Sequence, residues 1–372
     1  MSFIDNSKSV LSVIVPTYNC ANIIDGLISC IRSQTFRDWE LLLVDDGSID
    51  NTREICERYA QNDSRIRVIS NRHQGVSASR NAGIELAKGE WITFVDADDL
   101  LFDGFLFSLF DAANQNEDID IAFCGFSVVS VNATTLHSYK TKTYIGDKQI
   151  CDLLSSSDIL YRCSPWAKLF RRSIMMEHHL RFDTNLSISE DRLFFYDYLL
   201  YTRGIATTSY VGYIYGSFSS SSLKNKHFPI EMLSYRQEMM TKATRKILDR
   251  FPLEGDEAYY LTEHLMKIMQ SSMQSAFVDT GLSSKTCHTQ EQFLAKHFDK
   301  NLYDNLSQSK RWKSQLANNS FVRNMLANKF WKLNWKWFCN DFNLRIRMFA
   351  QKMLLKRNVS NSYESVIKII NK

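Results

Sequence analysis

The sequence lacks several of the features by which chains of its size are usually sorted. It has eight cysteines, yet no two form a Cys-x-x-Cys pair, so the commonest zinc and thioredoxin-like arrangements are not indicated. Several lie in apolar runs, as Cys124 does in Ile-Ala-Phe-Cys, and are expected as reduced thiols packed like small hydrophobes in a cytoplasmic protein. No stretch offers the roughly 20 uninterrupted apolar residues that a bilayer span requires. The opening Met-Ser-Phe-Ile-Asp-Asn lacks the basic, apolar and small-residue order of a signal peptide, so a soluble or peripheral chain is expected. There is no Gly-x-Gly-x-x-Gly and no Walker-type Gly-x-x-x-x-Gly-Lys-Ser/Thr, which removes the main support for dinucleotide and P-loop readings. The formal net charge of +4 is too modest to suggest nucleic acid as a partner.

What is present is a chain of 372 residues, enough for two domains, with 44% hydrophobic and 13% aromatic residues to build their cores. Residues 10–16, Val-Leu-Ser-Val-Ile-Val-Pro, form a β-branched run without polar alternation, as a strand buried on both faces would. Residues 21–33 carry isoleucines and a leucine at helical spacing, and a second apolar run at 39–44 follows. The order repeats with helices expected over 52–60 and 76–87 and strands over 66–69, 91–95 and 119–124. Strands alternating with helices predict an α/β domain with a mainly parallel sheet flanked by helices, extending to about residue 222. From 223 to 372 β-branched runs give way to mixed apolar and charged segments, and a mostly α-helical region is expected.

In open α/β sheets ligands bind beyond the carboxyl ends of the strands. Here those ends are Pro16-Thr17-Tyr18-Asn19, Asp45-Asp46-Gly47-Ser48 and Asp96-Ala97-Asp98-Asp99. Two carboxylates one residue apart after a strand, Asp96 and Asp98, suit a hard divalent cation that bridges phosphates. Asp99 is expected instead to cap the helix that follows. Asp-Asp-Gly-Ser is also a common turn, and its value lies in its position after the second strand.

Taken together these segments resemble the family-2 glycosyltransferases of the GT-A fold. The resemblance runs through Ser12-Val-Ile-Val-Pro-Thr-Tyr-Asn19, Ser33-Gln-Thr-Phe36 and Val44-Asp-Asp-Gly-Ser48, then Gly75-Val-Ser-Ala-Ser-Arg-Asn-Ala-Gly83 and Gly89-Glu-Trp-Ile-Thr-Phe-Val-Asp-Ala-Asp-Asp99, in the family's order. It implies an inverting transfer of a sugar from a nucleotide-diphosphate donor, commonly a uridine diphosphate sugar, to a hydroxyl of a saccharide or lipid-linked saccharide. Pro16, Thr17, Tyr18, Asn19 and Asp46 would hold the nucleoside, with Arg80 beside the donor. Asp96, Ala97 and Asp98 would form the metal motif, with Mn2+ or Mg2+ as the ion. Pro165-Trp166-Ala-Lys168-Leu resembles the family's Trp-x-Lys-Leu segment, which places Trp166 and Lys168 on the acceptor side. Ser189-Glu190-Asp191 resembles the Glu-Asp motif, which puts Glu190 on the acceptor side and makes Asp191 the catalytic base. The plainer reading of Glu190 and Asp191 is a pair of acids opening a helix. One departure stands out: many relatives carry an arginine after Tyr-x-Tyr, and here Tyr213-Ile-Tyr215 is followed by Gly216.

Residues 321–357 hold nine basic side chains and one acid, interleaved with Trp and Phe. That pattern fits either a helical lobe with a cationic exterior or a peripheral contact with the anionic inner face of the cell membrane. Two other functions compete. A sugar-phosphate nucleotidyltransferase would open with a Gly-rich, basic loop after the first strand, which Pro-Thr-Tyr-Asn is not. A non-catalytic carbohydrate or nucleotide-sugar binder draws support from Gly216 alone.

Overall fold

The computed structural model describes residues 10–130, 133–216 and 228–253, together with 261, 264, 265, 268, 272, 296 and 297. The expected domain boundary at 222, the serine tract at 219–222 and the basic segment 321–357 lie outside these residues. The chain divides into two compact units, one made of Met1–His227 with Glu238–Leu253, the other of Phe228–Gln237 with Glu254–Lys372.

The first unit begins as the sequence pattern requires. Strand β1 (Leu11–Thr17) leads to α1 (Ile24–Ser33), β2 (Trp39–Asp45) to α2 (Thr52–Asn62), and β3 (Ile66–Ser70) to α3 (Val76–Leu86), before β4 (Trp91–Phe94). β2 is buried along its whole length and β1 along all but one residue, which is why neither alternates polar with apolar side chains. The strands lie parallel in the order β3-β2-β1-β4, with Thr17 beside Asp45 and Ile14 beside Phe94. Their carboxyl ends therefore share one rim. Helix α3 packs tightly on β1, where a Cβ on Gly83 would overlap the Ile14 side chain.

Past β4 the sheet becomes mixed. A two-residue β5 (Leu100–Leu101) precedes α4 (Phe105–Ala113), β6 (Ile121–Val129), β7 (Thr134–His137), β8 (Lys142–Ile145) and α5 (Gly146–Ser156). Then come β9 (Lys168–Arg171), α6 (Arg172–Glu177), α7 (Glu190–Leu199) and β10 (Gly204–Gly216). β9 pairs antiparallel with both β4 and β6, while β10 runs parallel to β6, giving the order β3-β2-β1-β4-β9-β6-β10-β5. The insertion of β9 carries the 160s segment, with Trp166, to the sheet rim beside the ends of β1 and β4. Helix α8 (Ile230–Arg250) follows, and within the first unit Arg250 donates to the carbonyls of Leu199 at 2.8 Å and Thr202 at 2.6 Å.

In the second unit, the described residues beyond Pro229 are helical, and Ser234 and His297 lie within hydrogen-bond distance at 2.7 Å. Among the described residues no helix is long and apolar enough to cross a membrane. Cys20, Cys56, Cys124 and Cys163 are buried and unpaired in the manner of small hydrophobes, and burial pushes the thiols of Cys56 and Cys124 up to about 12.

Candidate active site

A cleft of about 870 Å³ opens at the rim shared by β1 and β4. It is lined by Pro16, Tyr18 and Asn19 from the end of β1, Arg80 from α3, and Asp96, Ala97 and Asp98 after β4. Trp166 and Lys168 flank it from the approach to β9, and Glu190 and Asp191 from the start of α7. Eleven of the thirteen expected site residues thus meet in one cavity, drawn from segments up to 175 positions apart.

Thr17 and Asp46 do not line it. Thr17 is buried in the strand ladder, and the Asp46 carboxylate is taken up by the backbone. It accepts the Gln74 amide at 2.9 Å and the Gly75 amide at 2.8 Å, which ties the loop ahead of α3 to the end of β2. Beside it, Asp45 accepts the Ser48 hydroxyl at 2.5 Å and closes the Asp-Asp-Gly-Ser turn. The loop held by Asp46 presents His73, whose ring stacks on Tyr18 with centroids 4.3 Å apart. Tyr18 is 45% exposed, so the pair forms a flat surface at the rim.

The acids after β4 have three different environments. Asp96 accepts a bond from Arg80 Nη2 at 2.8 Å. Asp98 meets no such counter-charge among the described residues, and burial followed by the repulsion of Asp96 raises its pKa. Asp99 does not cap α4, which starts at Phe105 with Gly104 as its N-cap. It is turned inward, accepting the Tyr213 hydroxyl at 2.5 Å and the Gly216 amide at 2.9 Å. The reason is proximity: Phe102 N–H bonds to the Gly212 carbonyl, so the chain leaving β4 is stitched to β10 before α4 can begin. Burial, then the charge of Asp96, pushes the Asp99 carboxyl up to about 8.

Among the described residues no group of three His, Cys, Asp or Glu side chains is placed to hold a metal ion unaided. The donor set still suits one kind of ion. A hard divalent cation is commonly held by one or two carboxylates with phosphate oxygens completing the shell. Asp98, exposed at the cleft and repelled by Asp96, is a carboxylate for which such an ion would offset a cost.

On the opposite wall, Glu190 and Asp191 open α7 behind Ser189, a non-glycine residue at φ 68°. Burial, then the charge of Asp191, pushes the Glu190 carboxyl up to about 7, against the pull of Arg80, whose Nη1 lies 3.7 Å away. Lys168 is buried and donates to the carbonyls of Ser164 at 2.6 Å and Trp166 at 3.4 Å. Burial brings its pKa down to about 8. Its ammonium also lies 5.3 Å and 5.6 Å from the ring centres of Phe123 and Phe195. Trp166 stacks on Tyr213 and Tyr215 at 4.8 and 5.4 Å, which aligns an aromatic wall with the base of the cleft.

Known proteins share sequence and fold with the chain. Residues 12–178 match the model of Glycosyl transferase family 2. An uncharacterised glycosyltransferase, EpsJ, of Bacillus subtilis is 34% identical over 188 residues, which are 50% of this chain and 54% of that protein. Glycosyltransferase GlyG of Streptococcus pneumoniae is 27% identical over 255 residues, 65% of this chain and 81% of GlyG. The chain spans 54% and 57% of the length of the first two curated relatives it matches, about half of each. The crystal structure of S. aureus TarS in complex with UDP-GlcNAc superimposes with a TM-score of 0.65, 22% identity and coverage of 86% of this chain and 88% of that one. The fold is the GT-A fold.

Several lining residues carry no family motif. Tyr161, Arg162 and Ser164 precede the Trp166 segment, and Phe126 and Val128 lie at the end of β6. Nothing local marks these as site residues, because their placement depends on β9 entering the sheet between β4 and β6. His73 has no local signal either: bonds from residues 73–75 to Asp46 hold its loop beside Tyr18.

Proposed function

We propose that the protein is an inverting glycosyltransferase that moves a sugar from a uridine diphosphate donor to a hydroxyl of a saccharide or lipid-linked saccharide in cell-surface polysaccharide assembly. The observation that carries this reading is the single cleft in which Tyr18, the Asp96-Ala97-Asp98 turn and the Glu190-Asp191 pair face one another. The donor class is supported by the complex of TarS with UDP-GlcNAc, whose fold this chain shares. Residues 1–222 would form the catalytic domain and 223–372 a helical region on the acceptor or membrane side, at the cytoplasmic face of the cell membrane.

In this reading Pro16, Tyr18 and Asn19 receive the nucleoside, and the Tyr18–His73 stack offers a face to the base. Asp98, with Asp96, would hold Mn2+ or Mg2+ against the diphosphate. Such an ion supplies charge neutralisation for the departing diphosphate. The acceptor lies against Trp166 with its hydroxyl toward Asp191. The hydroxyl oxygen forms a bond to the anomeric carbon as the bond from that carbon to the diphosphate oxygen breaks. The hydroxyl proton passes to the Asp191 carboxylate, and the nucleoside diphosphate leaves with the bonding electrons. Holding two substrates in one cleft contributes through proximity, worth up to roughly 7–11 kcal/mol at best. Base assistance adds on the order of 10²–10⁴-fold.

The test is release of uridine diphosphate from a panel of uridine diphosphate sugars, with Mn2+ and with a chelator. Metal-dependent release from one sugar, lost in Asp98→Ala, supports the reading. Release that is equal in the chelator and in Asp98→Ala would remove the proposed donor site.

A further inference from the structure

The cleft contains one guanidinium facing two walls. Arg80 extends from α3 with its side chain only 6% exposed. Its Nη2 donates to Asp96 Oδ1 at 2.8 Å, on the donor side. Its Nη1 lies 3.7 Å from Glu190 Oε1, on the acceptor side. The Phe182 ring, 5.2 Å from the guanidinium carbon, covers it. Phe182 is held in turn by reciprocal bonds of its backbone with the Asn81 side chain, both at 2.8 Å. Arg80 Nε has no hydrogen-bond partner, so the group is fixed by its two ends and by the ring.

We infer that Arg80 is a positioning residue that couples the two halves of the reaction, being shared between Asp96 and Glu190 so that occupation of the donor side changes how firmly the acceptor-side pair is held. This rests on the proposed donor reading and goes beyond it, since that reading places Arg80 beside the donor without linking it to Glu190. Asp96 and Glu190 share the guanidinium of Arg80, with Asp191 adjoining, so three carboxylates draw on that one cation at a buried position. Charges interact more strongly there than in water. A cation or a diphosphate drawing on Asp96 alters the share of Arg80 that Glu190 receives. By linkage, an acceptor that draws on Glu190 must alter donor affinity by the factor by which the donor alters acceptor affinity, and removing the Glu190 charge removes that coupling.

The probe is uridine diphosphate with Mn2+, titrated calorimetrically into the full chain and into Glu190→Gln, Arg80→Lys, Arg80→Met and the double variants of each with Glu190→Gln. Glu190→Gln frees Arg80 to bind Asp96 more tightly, so uridine diphosphate with Mn2+ is expected to bind about fivefold more weakly, at the lower end of typical coupling. In the Arg80→Met background the same change is expected to have no effect, because the shared cation is gone. Arg80→Lys, which keeps the charge but not the two-ended fork, should retain part of the coupling. It also serves as the background if Arg80→Met does not fold. An unchanged affinity in Glu190→Gln, or an equal loss with and without Arg80, overturns the inference while leaving the donor site standing. No binding of uridine diphosphate to the unaltered chain would instead sink the donor reading, and the coupling with it.

Discussion

The Tyr213 hydroxyl stands between two residues of the acidic turn, accepting the Asp96 amide at 3.2 Å and donating to the Asp99 carboxylate at 2.5 Å. The turn carrying Asp96 and Asp98 is thereby fastened to β10, and the third acid acts as an internal anchor. Gly216 completes the arrangement through its amide. The residue where many relatives place an arginine here contributes its backbone to seating the turn.

Tyr213→Phe removes one of the two partners of a buried carboxyl and one acceptor for a backbone amide. A loss of about 1–3 kcal/mol in unfolding free energy is expected from urea titration at pH 7. A change below a few tenths would show that the turn is held by other means.

Asp191→Asn is expected to keep affinity for uridine diphosphate within about twofold and to cut transfer by roughly 10²–10⁴-fold. Calorimetry and a transfer assay on the same preparation separate the two quantities. Transfer at the unaltered rate would take Asp191 out of the mechanism.

Lys168 gives a pH dependence whose sign follows from its burial. Its pKa falls from 10.5 in the open chain to about 8 in the fold. Between those values the unfolded chain keeps a proton that the folded chain has lost, so stability contributed by this group rises as pH increases through that window. Below 8 both states are charged, and its contribution is flat. Comparing urea midpoints at pH 7.5 and 9.5, the unaltered chain should gain relative to Lys168→Met. Parallel behaviour of the two proteins would show that Lys168 is charged at both pH values.

Ala167 occupies the left-handed region at φ 56° between Trp166 and Lys168. That conformation costs a non-glycine residue about 1–2 kcal/mol. Glycine would avoid it at an entropic cost of roughly 0.5–1 kcal/mol. Ala167→Gly should therefore raise the melting temperature slightly or leave it unchanged, and a clear drop would mean that the methyl group's packing outweighs the backbone strain.

The parallel half of the sheet was legible from residue order because each of its strands is an unbroken apolar run and each connection is local. The rim residues followed, since a parallel register fixes which end of each strand is shared. The antiparallel entry of β9 was not legible: Lys168–Arg171 is four residues long, and its pairing with β4 and β6 is set by residues 45 to 80 positions away. Asp99 reads locally as a helix cap, whereas its partners Tyr213 and Gly216 are more than a hundred positions away in the sequence. Asp46 gave a similar lesson. An acid at a strand end reads as a ligand-facing group, but the amides of residues 74 and 75 reach it from a loop whose path the sequence does not reveal.

The parallel strands β1, β2 and β4 end in short polar tips, while their bodies are locked by ladder bonds and by the close seating of α3 at Gly83. In the proposed reading, scaffold and selectivity would be written in separate stretches of the chain. Exchanges at Tyr18, Asn19 or His73 would then alter which molecule is chosen without touching a ladder bond, so such a fold could change its chemistry by drift at its tips while its frame stays under strict constraint.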